Sequence, residues 1–351
     1  MSTREFPRHC AAVIEDCTAP EQWDAYLDSQ PAATFYQRYG WKRVNEECFG
    51  HETHYLIARR DGAMVGALPL VFLKSPLFGK ILCSLPFVNY GGPCGDDATV
   101  EALLVEEACR TVTRERMDYL ELRTDRPVPG QLPTRQHKVS MVLGLERDPD
   151  VLWRAYDTKH RTAIRRAYKN DLRALAGGGE LLDDFYRVMV SSWRALGTPL
   201  YRKGYFASIL REFPSQTGIF VVYRDNLPVA AALNGYYKGV VEGMWAGVDW
   251  DFRKYQPTTV LYWEMIKHAC ENGQRIYHFG RSTADSGGEF FKSKWNAEPR
   301  QLYWTYFLGR RKVLPRLDVG NPRYQILMRM WRRLPPALTS AIGPPLARFL
   351  P

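Results

Sequence analysis

The chain has 351 residues, 45% of them hydrophobic and 25% charged, which is too long for one ordinary core, suits two α/β units plus a tail, and excludes a disordered chain. No run reaches the roughly 18 to 20 apolar residues of a membrane-spanning helix, and no apolar stretch near the N-terminus reads as a signal peptide. The net charge of +10 is uneven: 310–351 holds nine Lys/Arg against Asp318, and Arg154 to Arg173 holds seven basic residues against Asp157 and Asp171, so polyanion contact is expected at those two places.

In chain order, Tyr55 to Asp61-Gly62 and Val65 to Phe72 read as strand, tight turn, strand, because Asp-Gly favours positive φ. An apolar run follows, Ile81 to Tyr90, then a helical pattern, Val100 to Arg116, then a strand ending Arg123-Thr124. A basic helix is expected over 153–176, ended by Gly177-Gly178-Gly179, and a second helix over Leu182 to Ala195. The first order then recurs. Phe220 to Asp225-Asn226 turns into Val229 to Tyr237; Val240 to Val248 follows; a helix spans Thr259 to Asn272; and a strand ends at Arg281-Ser282. A loop with Lys292 and Lys294 leads into a last strand, Gln301 to Leu308. Beyond Leu314 the chain is proline-punctuated around one amphipathic basic helix, Arg323 to Leu334.

Hairpin, strand, helix, strand, given twice, is the core order of the GNAT fold. The expected architecture is α/β with mixed sheets: a GNAT-like unit over 1–145, a second over 146–309 and a basic tail over 310–351. The seven cysteines are scattered with no C-x-x-C pair, and read as reduced thiols of a cytoplasmic protein. His51 and His54, expected in a loop, have no third ligand, so no metal site is expected.

The densest motif is Tyr277-His278-Phe279-Gly280-Arg281-Ser282, followed by Gly287-Gly288 and Phe290-Phe291-Lys292-Ser293-Lys294-Trp295-Asn296. Gly280 permits close approach of a ligand or backbone. Arg281, with Ser282 beside it, suits a phosphate or carboxylate through its planar fork. Lys292 is placed to stabilise the oxyanion formed when an amine attacks an ester or thioester. His278 is either a proton acceptor near neutral pH or a hydrogen-bonded strand residue. No G-x-S-x-G elbow accompanies Ser282, so a nucleophilic triad is not indicated.

The run from Phe279 to Pro299 resembles the C-terminal signature of FemAB-like proteins, which have two GNAT-like domains and include peptidoglycan aminoacyltransferases. The resemblance is closest to the FemAB-related proteins of exosortase/PEP-CTERM and exopolysaccharide systems. Asn89-Tyr90-Gly91-Gly92-Pro93, the helix from Lys159 through Arg161 and Arg165 to Lys169, and the tail from Asn321 to Pro344 also fit it. It implies transfer of an acyl or aminoacyl group to an amine of a cell-envelope or exopolysaccharide precursor, without metal or tightly bound cofactor. It places the lysine of the family's FK run on Lys292 and the arginine of its FGRS run on Arg281. The candidate catalytic residues are thus Lys292 and His278, and the candidate substrate-binding residues Gly280, Arg281, Ser282, Lys294, Tyr90, Arg161 and Arg165. Two departures stand out: His278 replaces a frequent Asp, and Asn296 a frequent Gly, though Asn tolerates the left-handed conformation.

Acetyl-CoA-binding GNAT enzymes place glycines before the helix that holds pyrophosphate. Here that position reads Arg253-Lys254-Tyr255-Gln256-Pro257, without glycine. The candidate donors are therefore acyl-CoA held differently, acyl-carrier protein or aminoacyl-tRNA. The basic helix is a candidate contact for tRNA or anionic glycan at 154–173, and the tail helix for an anionic membrane face through 323–334. The competing functional reading is a non-catalytic GNAT-fold scaffold that docks on a polyanion or membrane.

Overall fold

A computed structural model describes residues 12–75, 79–283, 287–315 and 322–349, excluding the side chains of 322–325 and 337. The strands are β1 (Val13–Asp16), β2 (Glu52–Arg60), β3 (Ala63–Ser75), β4 (Gly79–Cys83), β5 (Cys94–Gly95), β6 (Tyr119–Thr124), β7 (Thr134–Gly144), β8 (Leu172–Gly177), β9 (Thr217–Arg224), β10 (Leu227–Tyr237), β11 (Val240–Val248), β12 (Ile276–Thr283) and β13 (Glu298–Leu308). The helices are α1 (Pro20–Ser29), α2 (Gly40–Phe49), α3 (Ala98–Arg114), α4 (Pro149–Ala155), α5 (Thr158–Tyr168), α6 (Leu182–Leu196), α7 (Lys203–Glu212), α8 (Pro257–Glu271), α9 (Gly287–Ser293), α10 (Pro322–Arg333) and α11 (Pro336–Ala347).

Both hairpins form as their turns require. Asp61 and Gly62 have φ of 52° and 81°, and Asp225 and Asn226 of 50° and 63°, the positive pair a two-residue turn needs. The strands make one sheet in the order β1-β2-β3-β4-β6-β13-β7-β12-β11-β10-β9-β8, with β5 on β3. Its centre exchanges strands between the halves. β7 pairs with β12, while β13 enters between β6 and β7, all antiparallel. The sheet is thus continuous across the point where the sequence repeats.

Three cores cover it. Leu104, Ala108 and Val112 of α3 pack on the first half, and Ile164, Val260 and Met265 of α5 and α8 on the second. The opposite face carries one core built from both halves, with Trp23 and Trp41 from the first and Phe185 and Phe206 from the second. Burial of such aromatic side chains, at roughly 1.5–3 kcal/mol each before ordering costs, joins the halves into one body.

Three expectations are corrected. The helix over 153–176 is two short helices and a strand. Tyr156 and Asp157 are extended, the Asp157 carboxylate caps α5 by accepting from the His160 N–H at 2.6 Å, and the left-handed Asp171 starts β8. Gly177 therefore ends a strand, and Gly178 and Gly179 follow that strand, not a helix. His54 lies in β2, and the segment carrying Lys292 is α9.

Candidate active site

The site forms where β11 and β12 part. These parallel strands pair at Val240 with Ile276, Val241 with Tyr277 and Glu242 with His278, and no further. Each carries an extra residue just beyond. The β10–β11 register shifts at Asn234, opposite Gly243, and the β12–β7 register shifts between His278 and Arg281. Two glycines make the parting possible. Gly280 has φ of 74°, and a Cβ there would stand 2.9 Å from the Gly243 carbonyl oxygen; a Cβ on Gly243 would stand 2.8 Å from that of His278.

Three polar side chains meet at this vertex. Glu242, 2% exposed, accepts a hydrogen bond from the Tyr90 hydroxyl. The same hydroxyl lies 2.8 Å from Nδ1 of His278, which is 3.4 Å from Oε1 of Glu242. Asn89 donates to the Tyr36 hydroxyl at 3.1 Å and fixes a second tyrosine behind the first, their rings edge to face at 5.2 Å. Tyr36 and Tyr90 come from the first half, Glu242 and His278 from the second. Burial pushes the Glu242 carboxyl up to about 8; the Tyr90 bond opposes this and Asp125 adds to it. Burial, with Arg300 nearby, pushes His278 down to about 4, so its imidazole is neutral at pH 7. The cluster opens onto a cleft of about 210 Å³, whose walls include Pro31 to Phe35, Asp125 and Arg300.

Lys292, on α9, contacts the backbone of the same bulge. Its ammonium donates to the carbonyls of Gly280 at 3.0 Å and Arg281 at 3.2 Å, and burial, then Arg281, lowers it to about 8. Arg281 turns inward. Its guanidinium lies over Trp304 at 5.7 Å, with Nη1 buried and without a hydrogen-bond partner among the described residues; burial, then Arg123, lowers it to about 10. Arg123 takes the corresponding place in the first half, 4.5 Å over the same Trp304 and paired with Glu121 at 2.6 Å. The indole thus lies beside the guanidinium of each repeat.

The first half has an equivalent vertex, and it is filled. β4 and β6 are parallel and pair up to Cys83 with Glu121. The chain then folds back into the gap: the Ser84 N–H donates to the Glu121 carbonyl, the Gly91 N–H to that of Arg123, and Leu85, Phe87, Val88 and Tyr90 are buried there. Leu85 and Phe87 hold positive φ to do so.

The structure brings together five residues singled out in sequence, His278, Gly280, Arg281, Lys292 and Tyr90. Ser282, also buried, pairs with Val139 in the ladder. Lys294 is exposed above Phe290 at 4.6 Å. Arg161 bonds to Thr158 and Arg165 lies 5.1 Å over Trp153, both on α5. Gln256 is left-handed before α8, which begins at Pro257 as the sequence suggests. Among the described residues no cluster of three or more metal-ligating side chains occurs. Glu242, Tyr36, Arg123 and Arg300 were not anticipated. For Glu242 a signal existed, a lone carboxylate inside an apolar strand.

Residues 154–293 match the family described as Acetyltransferase (GNAT) domain. The crystal structure of FemX superposes with a TM-score of 0.65 at 15% identity, covering 90% of this chain and 100% of that one. The fold is FemAB-like, two GNAT units in tandem. L-PGS from Bacillus licheniformis matches at a TM-score of 0.54 and 14% identity, over 90% and 98% of the two chains. A tandem GNAT protein from the clavulanic acid biosynthesis pathway matches at 0.52 and 12%, over 85% and 98%. No curated protein matches the chain. The matched domain assigns this tandem-GNAT chain to the acyltransferases, with its open vertex in the second unit.

Proposed function

We propose that the chain transfers an acyl or aminoacyl group from an activated donor to an amine at the β11–β12 vertex, with Glu242 as the base. The observation that carries this reading is the Glu242–Tyr90–His278 cluster, set where the strands part and opening onto a cleft. An acceptor arriving as ammonium gives its proton to the Glu242 carboxylate, whose raised pKa suits an amine. The free amine attacks the donor carbonyl, and the tetrahedral intermediate collapses with loss of the thiol or ribose hydroxyl. Tyr90 and neutral His278 orient the carboxylate. Lys292 uses two of its three donors on backbone carbonyls, which leaves one for the oxyanion.

Acyl-CoA, acyl-carrier protein and aminoacyl-tRNA remain the donor classes. FemX and the lysylphosphatidylglycerol synthetase relative (C-terminal domain, Agrobacterium fabrum; TM-score 0.56, 12% identity, 82% of this chain and 91% of that one) favour an aminoacyl donor. Basic α5, where Lys159, Arg161, Arg165 and Arg166 have no ion-pair partner among the described residues, supports contact with tRNA or an anionic glycan. A cell-envelope or exopolysaccharide acceptor, in an exosortase setting, rests on the sequence resemblance. Free thiols at the six described cysteines fit a reducing cytoplasm.

The test is donor turnover. Purified protein is mixed with charged tRNA and with short- and long-chain acyl-CoA, and release of free tRNA or CoA is followed. Release that depends on an added amine and is lost in Glu242→Gln supports the reading; equal release by both proteins removes Glu242 from the chemistry.

A further inference from the structure

The two tail helices are packed inside out. α10 and α11 both lie on α6. α10 is held there by buried Trp331, by Arg332 donating to the Leu196 carbonyl at 3.3 Å, and by Arg194 donating to the carbonyls of Arg332 and Leu334 at 3.4 Å. α11 turns its small residues inward: Thr339 and Ala347 are buried, and a Cβ on Gly343 would be 3.4 Å from the Leu200 backbone. Its large side chains face out. Leu338, Ile342 and Leu346, spaced four apart on one face, are 43%, 36% and 47% exposed. On α10, Ile326, Leu327 and Met330 are 53%, 59% and 60% exposed. The expectation for 323–334 is thus corrected in one respect: Trp331 belongs to the body, and the outward apolar set continues on α11.

This is not ordinary scatter of surface apolar residues. Among the described residues, six of the 14 exposed large hydrophobic side chains fall in this one segment. The charges around them have one sign. Residues 322–349 contain five arginines (323, 329, 332, 333 and 348) and neither Asp nor Glu. A second copy would oppose like charge to like charge. Exposed apolar side chains on a segment that also exposes Arg329, Arg333 and Arg348 and carries no acid of its own fit an anionic bilayer, which offers negative headgroups above an apolar interior. Among the described residues no helix is long and apolar enough to cross a membrane, so this contact lies on the surface.

We propose that α10 and α11 form a docking surface for anionic phospholipid bilayers, entered by Leu338, Ile342 and Leu346 together with Ile326, Leu327 and Met330. None of these residues lines the Glu242 cleft, so vesicle binding and acyl transfer are tested separately. The full chain is floated with vesicles of phosphatidylcholine alone or with 30% phosphatidylglycerol (about a third anionic, as a probe composition). Binding is expected only with phosphatidylglycerol. It is expected to weaken about fivefold for each of Arg329→Ala and Arg333→Ala, and to be lost in the double variant Leu338→Glu and Ile342→Glu, whose thermal midpoint stays near wild type because both side chains are exposed. Equal binding to both vesicles, no binding to either, or full binding by the double variant overturns the proposal. So does a concentration-dependent dimer, abolished by the double variant, that forms without vesicle binding.

Discussion

Replacing Glu242 by Gln keeps the size and the Tyr90 contact while removing the carboxylate, and two independent measurements follow. The first is rate. With a pKa of about 8, roughly a tenth of the carboxyl is ionised at pH 7 and roughly nine-tenths at pH 9. Turnover of the wild-type chain should therefore climb about fivefold from pH 7 to 8 and turn down above about 8, where Lys292 gives up the proton that supplies its oxyanion donor, and a general base contributes about 10²- to 10⁴-fold to the rising limb. The Gln variant should lose that factor, and any alkaline limb it retains belongs to the acceptor amine. The second measurement needs no substrate. Burial raises the carboxyl above its ordinary 4.5, so the folded chain holds this proton more tightly than the unfolded one. Its contribution to stability is fully present below about pH 4.5 and is lost as pH rises through about 8, by at most about 5 kcal/mol. His278, lowered to about 4, acts oppositely; its contribution is present above pH 6.5 and lost as pH falls through 4. Because Lys292, lowered to about 8, adds stability as pH rises through the same range, Glu242 is isolated by the difference between wild type and the Gln variant in urea unfolding at pH 6.5 and 9, and the Gln variant should gain on the wild type as pH rises. Parallel stability profiles, with turnover unchanged, would refute both the burial argument and the assignment of the base.

Three further outcomes are expected. Tyr90→Phe removes a hydrogen bond that lowers the Glu242 pKa, so the midpoint of the pH–rate curve should move above about 8; a downward shift would mean the bond is not made. Lys292→Met leaves the Gly280 and Arg281 carbonyls without their donor, at about 1–3 kcal/mol in urea unfolding, and removes an oxyanion donor, at about 10²- to 10³-fold in kcat. A stability loss with normal kcat would make Lys292 a positioning residue only. Gly280→Ala forces a side chain into positive φ and against the Gly243 carbonyl, and should lower the thermal midpoint by several degrees, about 1–3 kcal/mol.

Much of this arrangement is written in local pattern. Both Asp-led turns, the apolar strands and the helices that became α3, α6 and α8 follow from residue spacing within windows of about 10 to 17 residues. The basic segment was misread because seven cations and a helical apolar stripe outweighed Asp157, whose capping role shows only once its carboxylate is seen to accept the His160 N–H. β7 escaped notice since its first half, Thr134 to Lys138, is polar and partly exposed, without the alternation of a half-buried strand. The site was half legible. The motif around His278, Gly280, Arg281 and Lys292 is contiguous, whereas Tyr36 and Tyr90 lie some 150 to 240 residues away from Glu242 and His278 and reach them through a shared core.

That separation follows from how the repeats were joined. An open vertex between two parallel strands exposes backbone groups and a buried carboxylate, and something must cover them. In the second unit the cover comes from the first, as Tyr36 and Tyr90, and it stops short of closing the cleft. In the first unit the chain covers its own vertex, using the segment from Ser84 to Gly91. One segment therefore does both: it closes the first vertex with Leu85, Phe87 and Val88 and delivers Tyr90 to the second. The exchange of β7 and β13 fixes the two units at the register this requires, because a shift of one residue in either ladder would turn every side chain to the other face. The asymmetry of the site is thus a property of the duplicated fold, and neither unit could hold the Glu242–Tyr90–His278 cluster without the other.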